Sequence, residues 1–363
     1  MENHRPAGFG SSPAATLYDV ARAAGVSTAT VSRVVNDPAR VRLATRRRVL
    51  EAIEALGYVP DGAAQSLAQR RKEVIGLVAI ESRGPETDVE RENFLFTEEV
   101  LRGIERPLRD LGWSVLITFL HDATAAEAYQ QMQKISAKVD GMVIAEGIAT
   151  PEQLALLAAR LPIALVAAYP EGVEADVIGA DNRGGTRAAV AHLVEQHGRT
   201  RLFYIAGPAE APDARERRSA FTEAVAGYPG VTAAGVFEGR FAAISGQQAV
   251  RELLTRPPAE RPDAIVCGND QTAIGAMREL QAAGLRVPAD IAVVGFDDIH
   301  LATLLTPPLT TVRQPMREIG ERACASLLLR IADPARPPRV ERVPTELIIR
   351  ESCGCEPGPR SPG

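Results

Sequence analysis

Nowhere in the 363 residues do eighteen apolar residues run together, so no membrane-spanning helix is expected. Cysteine is scarce. There are four in all, two of them in Cys353-Gly354-Cys355 beside a Pro/Gly tail, too few for a disulfide framework and in keeping with a reduced, cytosolic protein. The opening stretch to Ala15 lacks the basic-then-apolar order of a secretory leader, and export is not expected. The five histidines (His4, His121, His192, His197, His300) show no metal-ligand spacing and read as surface or core residues. Two thiolates in a tail, Cys353 and Cys355, read as incidental rather than as a soft-metal site. No Gly-rich phosphate loop, G-x-S-x-G elbow or paired metal ligands occur, so an enzyme reading has nothing to stand on and no cofactor or metal is expected.

What is present suits a multi-domain globular chain: 45% hydrophobic and 24% charged residues over a length that implies two or three folding units. The net charge of −5 is unevenly spread. Met1 to Lys72 carries 11 Lys/Arg against 6 Asp/Glu, leaving 30 against 40 for the rest. A basic head on an acidic body is attracted to a polyanion by one end.

The head reads as three short helices. Thr16 with Asp19 forms a capping box, and Leu17, Val20, Ala21 and Ala24 follow helical spacing up to Gly25. Ser27 caps a second helix running to about Asn36, with Val31, Val34 and Val35 inward and Asp37-Pro38 as its stop. A third is expected from Thr45 to Leu56, ended by Gly57, with Arg46, Arg47 and Arg48 at its start. Cations there oppose the helix dipole, which phosphate contact or a solvated patch explains equally well. Small Ala21, glycine at position 25 where the turn needs positive φ, and Val31 and Val34 packing back on the first helix make a tight helix-turn-helix. In such a unit Thr28 and Ala29, with Arg33 one turn on, face the major groove. Arg33 can donate bidentately to guanine O6 and N7, and the small pair suits thymine methyls.

Beyond Lys72, β-branched runs alternate with helical stretches. Strands are expected at Val74–Ile80, Trp113–Phe119, Gly141–Ala145, Ile163–Ala167, Val177–Ala180, Leu202–Ala206, Ala264–Cys267, Ile291–Gly295 and Glu346–Ile349. Such alternation implies doubly wound parallel sheets with ligand sites at the strand C-termini, and so many strands imply two lobes.

The stretch TLYDVARAAGVSTATVSRVVNDPARVRLATRRRVLEAIEALGYVPDGAAQSLAQRR resembles the head of the lactose-repressor and purine-repressor (LacI/GalR) family. The resemblance implies that Thr16, Tyr18, Ser27, Ser32 and Asn36 touch phosphates, contacts that set register without reading sequence. It also implies a hinge helix over 61–68, ordered on operator DNA, with Ala64 in the minor groove and Leu67 wedged into the central base step. Gly62 departs from the bulkier residue usual there and weakens a free hinge helix by about 1 kcal/mol.

The body is similar to the family's effector domain, itself like the periplasmic sugar-binding proteins. Its marks are Ala264 to Asp270, Val294 to Asp298, Pro308 to Val312 with Gln314-Pro315, and Glu216 to Phe221. The resemblance implies a type I periplasmic-binding-protein-like fold of two doubly wound sheets, with Arg217, rather than Arg215 or Arg218, on the effector. Asn269 and Asp297 each follow a buried strand, where a cleft between lobes would collect them. Taken singly, the former reads as a helix cap and the latter as a turn. Phe94 and Phe96 lie where the family stacks an aromatic on its ligand, with Phe96 preferred. Ala220 replaces the family's usual glycine. After Val166 the sugar-binding members often carry a charged pair, whereas this chain has Ala167-Ala168-Tyr169, so a hydroxyl-binding carboxylate is missing.

The expected organisation is a tail over 1–15, a DNA-binding head over 16–60, a hinge over 61–72, an effector and dimerisation body over 73–352, and a disordered tail over 353–363. Within the body, lobe 1 is expected to comprise 73–179 and 308–335, and lobe 2 180–307 and 336–352. The function implied is a cytoplasmic, non-enzymatic repressor that binds a palindromic operator as a homodimer under control of a small polar metabolite, a sugar or sugar derivative. A transporter's solute-binding protein would share the lobes but has no use for the head.

Overall fold

The computed structural model describes residues 15–58, 71–81, 94–121, 123–145, 147–170 and 172–356. The chain divides into two compact units, Met1–Glu73 and Val74–Gly363.

In the first unit, α1 spans Leu17–Ala24, α2 Thr28–Asn36 and α3 Leu43–Leu56. Thr16 and Asp19 close the expected capping box: the Thr16 amide donates to Asp19 at 3.0 Å and the Asp19 amide to the Thr16 hydroxyl at 3.3 Å. Gly25 ends α1 in the left-handed region at φ 63°, where a Cβ would be strained. Ser27 caps α2 by accepting from the Thr30 amide. The third helix begins two residues earlier than expected, behind Arg42. Arg46 to Arg48 therefore lie past its first turn, where the N-terminal dipole opposes cations less. Val20, Ala21, Ala24, Val31, Val34, Val49 and Ala52 form the shared core.

The second unit holds two six-stranded sheets. The first contains β1 (Val74–Glu81), β2 (Ser114–His121), β3 (Gly141–Ala145), β4 (Ile163–Val166), β5 (Asp176–Ala180) and β11 (Val340–Val343), in the order β11-β5-β4-β3-β1-β2 and all parallel. The second contains β6 (Arg201–Ala206), β7 (Thr232–Glu238), β8 (Ala264–Cys267), β9 (Ala292–Asp297), β10 (Thr310–Arg313) and β12 (Glu346–Ile348), in the order β12-β10-β9-β8-β6-β7. Only β12 runs antiparallel to its neighbour.

Each sheet is covered on both faces, which is why its strands read as continuous apolar runs. In the first lobe, Ile75 and Leu77 face α4 (Phe94–Leu111) and α11 (Met316–Ala332). Met142 and Ile144 face α5 (Ala125–Ser136) and α6 (Pro151–Ala158) on the other side. In the second lobe, Phe203 and Ile205 pack with α9 (Ala243–Leu254) and α10 (Asp270–Ala282). Leu202 and Tyr204 pack with α7 (Asn182–Ala191) and α8 (Pro212–Ala226).

The lobe boundaries differ from the expectation. Residues 310–313 pair with β9 and so belong to the second lobe, while 340–343 pair with β5 in the first. The chain thus crosses between lobes three times, at 180–182, 313–316 and 343–346, a count that local sequence pattern does not encode. Strand β7 was not expected because it is an exposed edge, Thr232 to Glu238, rich in alanine and glycine instead of β-branched residues. The tail assigned to 353–363 is also corrected at its start. Ser352 and Cys353 are fully buried, and the Ser352 hydroxyl donates to the Val293 carbonyl at 2.6 Å.

One buried ion cluster ties α11 to the first sheet. Asp176 is wholly enclosed and accepts from Arg330 Nε and Nη2 at 3.0 and 3.1 Å, from Arg336 at 3.1 Å and from the Arg339 amide at 2.9 Å. Burial pushes the carboxyl up, and these donors more than reverse it, holding the carboxyl below its ordinary value. Asp176→Ala is expected to cost about 3–5 kcal/mol, read as a shift in the denaturant midpoint, because Arg330 is left buried without its partner. A shift near zero would show that the cluster is not buried in solution.

Candidate functional site

On the head, the described residues expected at DNA lie on α1 and α2 and at their N-caps. Tyr18 is 71% exposed on α1, unusual for a large aromatic without a partner to cover it. Ala29 and Arg33 are exposed on α2 and Thr28 is half-buried at its start, while Ser32 is partly covered. Arg33, Arg42 and Arg48 take no carboxylate partner among the described residues. Arg22, Arg40 and Arg47 are paired with Asp19, Asp37 and Glu51. Both capping hydroxyls are engaged: Thr16 Oγ1 donates to Asp19 at 2.6 Å, and Ser27 Oγ lies 2.9 Å from Thr30 Oγ1. Asn36 is placed by its backbone alone, closing α2. Ala64 and Leu67, with the expected hinge, lie outside the described residues.

In the body, a cavity of about 570 Å³ opens at the C-terminal ends of strands from both sheets. Among the described residues the first lobe contributes Ala79, Phe96, Thr97, Ala145, Ala167 and Met316, none of them charged, and the second lobe supplies the ionic groups. Arg217 projects from α8 and is 3% exposed. It donates from Nε to Asn182 Oδ1 at 2.7 Å, from Nη1 to the Gly268 carbonyl at 2.7 Å and from Nη2 to Gln314 Oε1 at 3.1 Å. Its guanidinium lies 3.7 Å from the centre of the Phe296 ring, a cation–π seat. Two carboxylates flank it, Asp297 at 3.7 Å and Asp213 at 3.8 Å.

Burial raises the Asp297 carboxyl to about 7, with Arg217 pulling it down and Asp213 pushing it up. Burial likewise raises Asp213 and, behind the cavity, Asp270. The folded state therefore binds protons more tightly than the unfolded chain, whose aspartates titrate near 4. The share of stability that Asp297 contributes is expected to fall as pH rises from about 4 to about 7 and to level off above. Asp297→Asn should flatten that decline; an unchanged slope in denaturant midpoints across this window would exclude Asp297 as a source.

Asn269 does two things. Its Oδ1 accepts from the Thr272 amide as the N-cap of α10, and its Nδ2 donates to the Phe241 carbonyl at 2.9 Å and to Gln271 Oε1 at 3.1 Å. It lines the cavity, yet both amide hydrogens are already used, leaving chiefly an oxygen lone pair to offer. Asp298 is structural: Arg313 and Arg350 hold it at 2.8 and 2.5 Å. Arg215 bonds backbone carbonyls and Arg218 pairs with Glu238; neither lines the cavity.

Backbone strain concentrates here. Among the described residues five non-glycines have positive φ, and three of them line this cavity: Ala167 at 56°, Phe241 at 57° and Asp297 at 124°. Strain of this kind persists where surrounding structure enforces it, most often around ligands.

Residues 16–61 match the family of bacterial regulatory proteins, lacI family, and residues 190–353 match the periplasmic binding protein-like domain. Over 341 residues, 93% of this chain and 98% of the relative, the sequence is 33% identical to the HTH-type transcriptional repressor PurR of Aliivibrio fischeri (strain MJ11). The chain belongs to the LacI family. It is 34% identical over 327 residues to the ribose operon repressor of Escherichia coli (strain K12), covering 88% of this chain and 94% of that one. The lac repressor dimer bound to operator and the anti-inducer ONPF superposes with a TM-score of 0.81 at 29% identity, over 93% of this chain and 99% of that one. The cellobiose complex of the regulator CelR gives 0.67 at 32% identity, over 93% and 99%. The protein is accordingly a DNA-binding transcriptional regulator with a helix-turn-helix head and a small-molecule-sensing body.

Within this LacI-family chain, the structure gathers Phe96, Arg217, Asn269 and Asp297 around one cavity, while the side chain of Phe94 lies outside the described residues. Sequence reasoning missed Asp213, Gln271, Phe241 and the supporting Asn182. Asp213 stands four residues before Arg217 on one helix face, a signal that was readable. Asn182 follows the first crossing between lobes, and nothing local announces its contact with Arg217. Among the described residues no helix is long and apolar enough to cross a membrane.

Proposed function

We propose that this protein is a homodimeric repressor, not an enzyme, whose operator affinity is set by an uncharged polyhydroxylated ring, a sugar or sugar derivative, in the cavity around Arg217. The observation that carries the effector class is the setting of Arg217 between Asp213 and Asp297. Fixed donors and acceptors there face Phe96 and an apolar first-lobe wall. Ring hydroxyls give and accept hydrogen bonds at once, which such a set satisfies. Among the described residues, Glu210, Asp213, Glu238 and Asp297 outnumber Arg217 and Arg240 around the cavity, which disfavours a phosphorylated effector. Relatives named for ribose and cellobiose agree with this reading. A purine is the second reading, favoured by the PurR relatives and by the aromatic rings of Phe96 and Phe241.

Two copies place two heads in successive major grooves of a palindrome. Arg33, Thr28 and Ala29 read bases there, and Thr16, Tyr18, Ser27, Ser32 and Asn36 hold phosphates. Chromosomal DNA as the partner puts the protein in the cytoplasm. The effector joins lobes linked by three crossings, and control follows if it binds the two lobe arrangements unequally and thereby orders or melts the hinge over 61–68. Ala64 and Leu67 then meet the minor groove only in the ordered state. Leu67→Ala is expected to abolish operator bending, and an unchanged bend by gel phasing would remove the wedge. The effector reading is tested by calorimetry with pentoses, hexoses, disaccharides, sugar phosphates and purines. Binding of a neutral sugar supports it; binding of purines alone, or of phosphorylated sugars in preference, overturns it.

A further inference from the structure

Far along the chain from one another, His192, His197, Cys353 and Cys355 meet in the second lobe, with their ligand atoms all within 4.8 Å. His192 opens a π-helical turn, His192–Gln196, that continues α7. In an α-helix, residues five apart point about 140° away from each other. The wider turn, with its i→i+5 hydrogen bonds, instead brings residues 192 and 197 together, and their ring centres lie 4.9 Å apart. On the other side Gly354, at φ 115°, turns the chain between the two cysteines; a Cβ there would stand 3.1 Å from His197 Nδ1. The expectation of an incidental pair of thiols in a disordered tail is thereby overturned.

The distances do not suit a hydrogen-bond network. His192 Nε2 lies 3.3 Å from Cys353 Sγ, 3.2 Å from His197 Nε2 and 3.6 Å from Cys355 Sγ. One imidazole nitrogen has either a single N–H or a single lone pair, so it cannot satisfy three such neighbours. Cys355 Sγ is a further 3.4 Å from His197 Nε2. Bond lengths of about 2.3 Å to sulfur and about 2.0–2.1 Å to nitrogen give tetrahedral edges of about 3.3 Å for N···N and about 3.6 Å for N···S. These four edges match within a few tenths of an ångström, and the remaining two are no longer than 4.8 Å.

We propose that His192, His197, Cys353 and Cys355 form a structural zinc site that fastens the end of the second lobe to α7. Two thiolates and two imidazoles at the corners of a tetrahedron select zinc among common divalent ions, and four protein ligands leave no open position for catalysis. Cys353 is fully buried and His192 is 8% exposed, whereas His197 and Cys355 are half-buried at the rim, which gives the ion a way in. A supporting contact is present: the Thr310 hydroxyl lies 3.2 Å from Cys353 Sγ and can donate to its thiolate.

Full-length protein without an affinity tag, kept reduced, tests the site. Elemental analysis is expected to find one zinc per chain. Cobalt added to chelator-stripped protein should give the visible bands of a tetrahedral ion with a thiolate charge-transfer band, and zinc should raise the thermal midpoint. Cys355→Ser, at the half-buried rim, should lower zinc affinity at least about 100-fold and lose the thermal response. Thr310→Val should lower affinity by about 10–100-fold with all four ligands in place. Absence of metal together with absence of cobalt bands in the reduced wild type would overturn the site. So would unchanged zinc content in Cys353→Ser/Cys355→Ser.

Discussion

Replacing Arg217 with alanine is expected to lower folding stability by about 3–5 kcal/mol and to erase the effector's influence on operator binding. The stability loss follows from what the guanidinium touches. It is almost fully enclosed, donates to Asn182, Gly268 and Gln314, and stands beside Asp213 and Asp297. Removing it leaves two buried carboxylates without the cation that flanks them both. Both then take protons more readily, so the variant should be least impaired at low pH, where they are neutral. Arg217→Lys separates charge from shape: it restores the cation but not a planar fork reaching three acceptors. It should recover part of the stability and little of the effector response. Denaturant midpoints and operator titrations distinguish these effects. An Arg217→Ala protein with full effector response would remove this residue from the site.

Arg33→Ala is expected to weaken binding to the preferred operator by about 1–3 kcal/mol, five- to a hundred-and-fifty-fold, and to relax base preference at one position in each half-site. Arg33 is exposed in the last turn of α2 and has no carboxylate to hold it among the described residues, so its donors are free for a base edge. The lever is local. The head's core of Val20, Val31, Val34 and Val49 is untouched, and stability should not change. Selection from a randomised site compares the two proteins. If both recover the same motif with equal information at every position, Arg33 contacts backbone and not base.

The head was legible almost to the residue because its signals are local. Thr16, Gly25 and Ser27 are caps and turns whose chemistry depends on neighbours three or four positions away. The lobes were legible in kind for a similar reason, since buried parallel strands are written as apolar runs. What escaped were features made by distant parts of the chain. Residues 310–313, which form β10, were placed in the wrong lobe because their partner β9 is chosen by topology, and 340–343, which form β11, because they return to the first sheet for four residues. At the cavity, Arg217, Asn269 and Asp297 could be named, but not the consumption of both Asn269 amide hydrogens by Phe241 and Gln271. The His192, His197, Cys353 and Cys355 cluster was dismissed on sequence spacing. That spacing hides a π-helical turn and a chain end folded back onto the same lobe.

The most direct test of control by the cavity is operator affinity, measured by anisotropy at fixed salt, with and without a saturating neutral sugar drawn from the calorimetric panel. The wild type is predicted to change affinity at least about tenfold, equivalent to about 1.4 kcal/mol of coupling, while Arg217→Lys binds operator and does not respond. A sugar that occupies the cavity and leaves operator affinity unchanged, or a response that survives intact in the Arg217 variant, would contradict it.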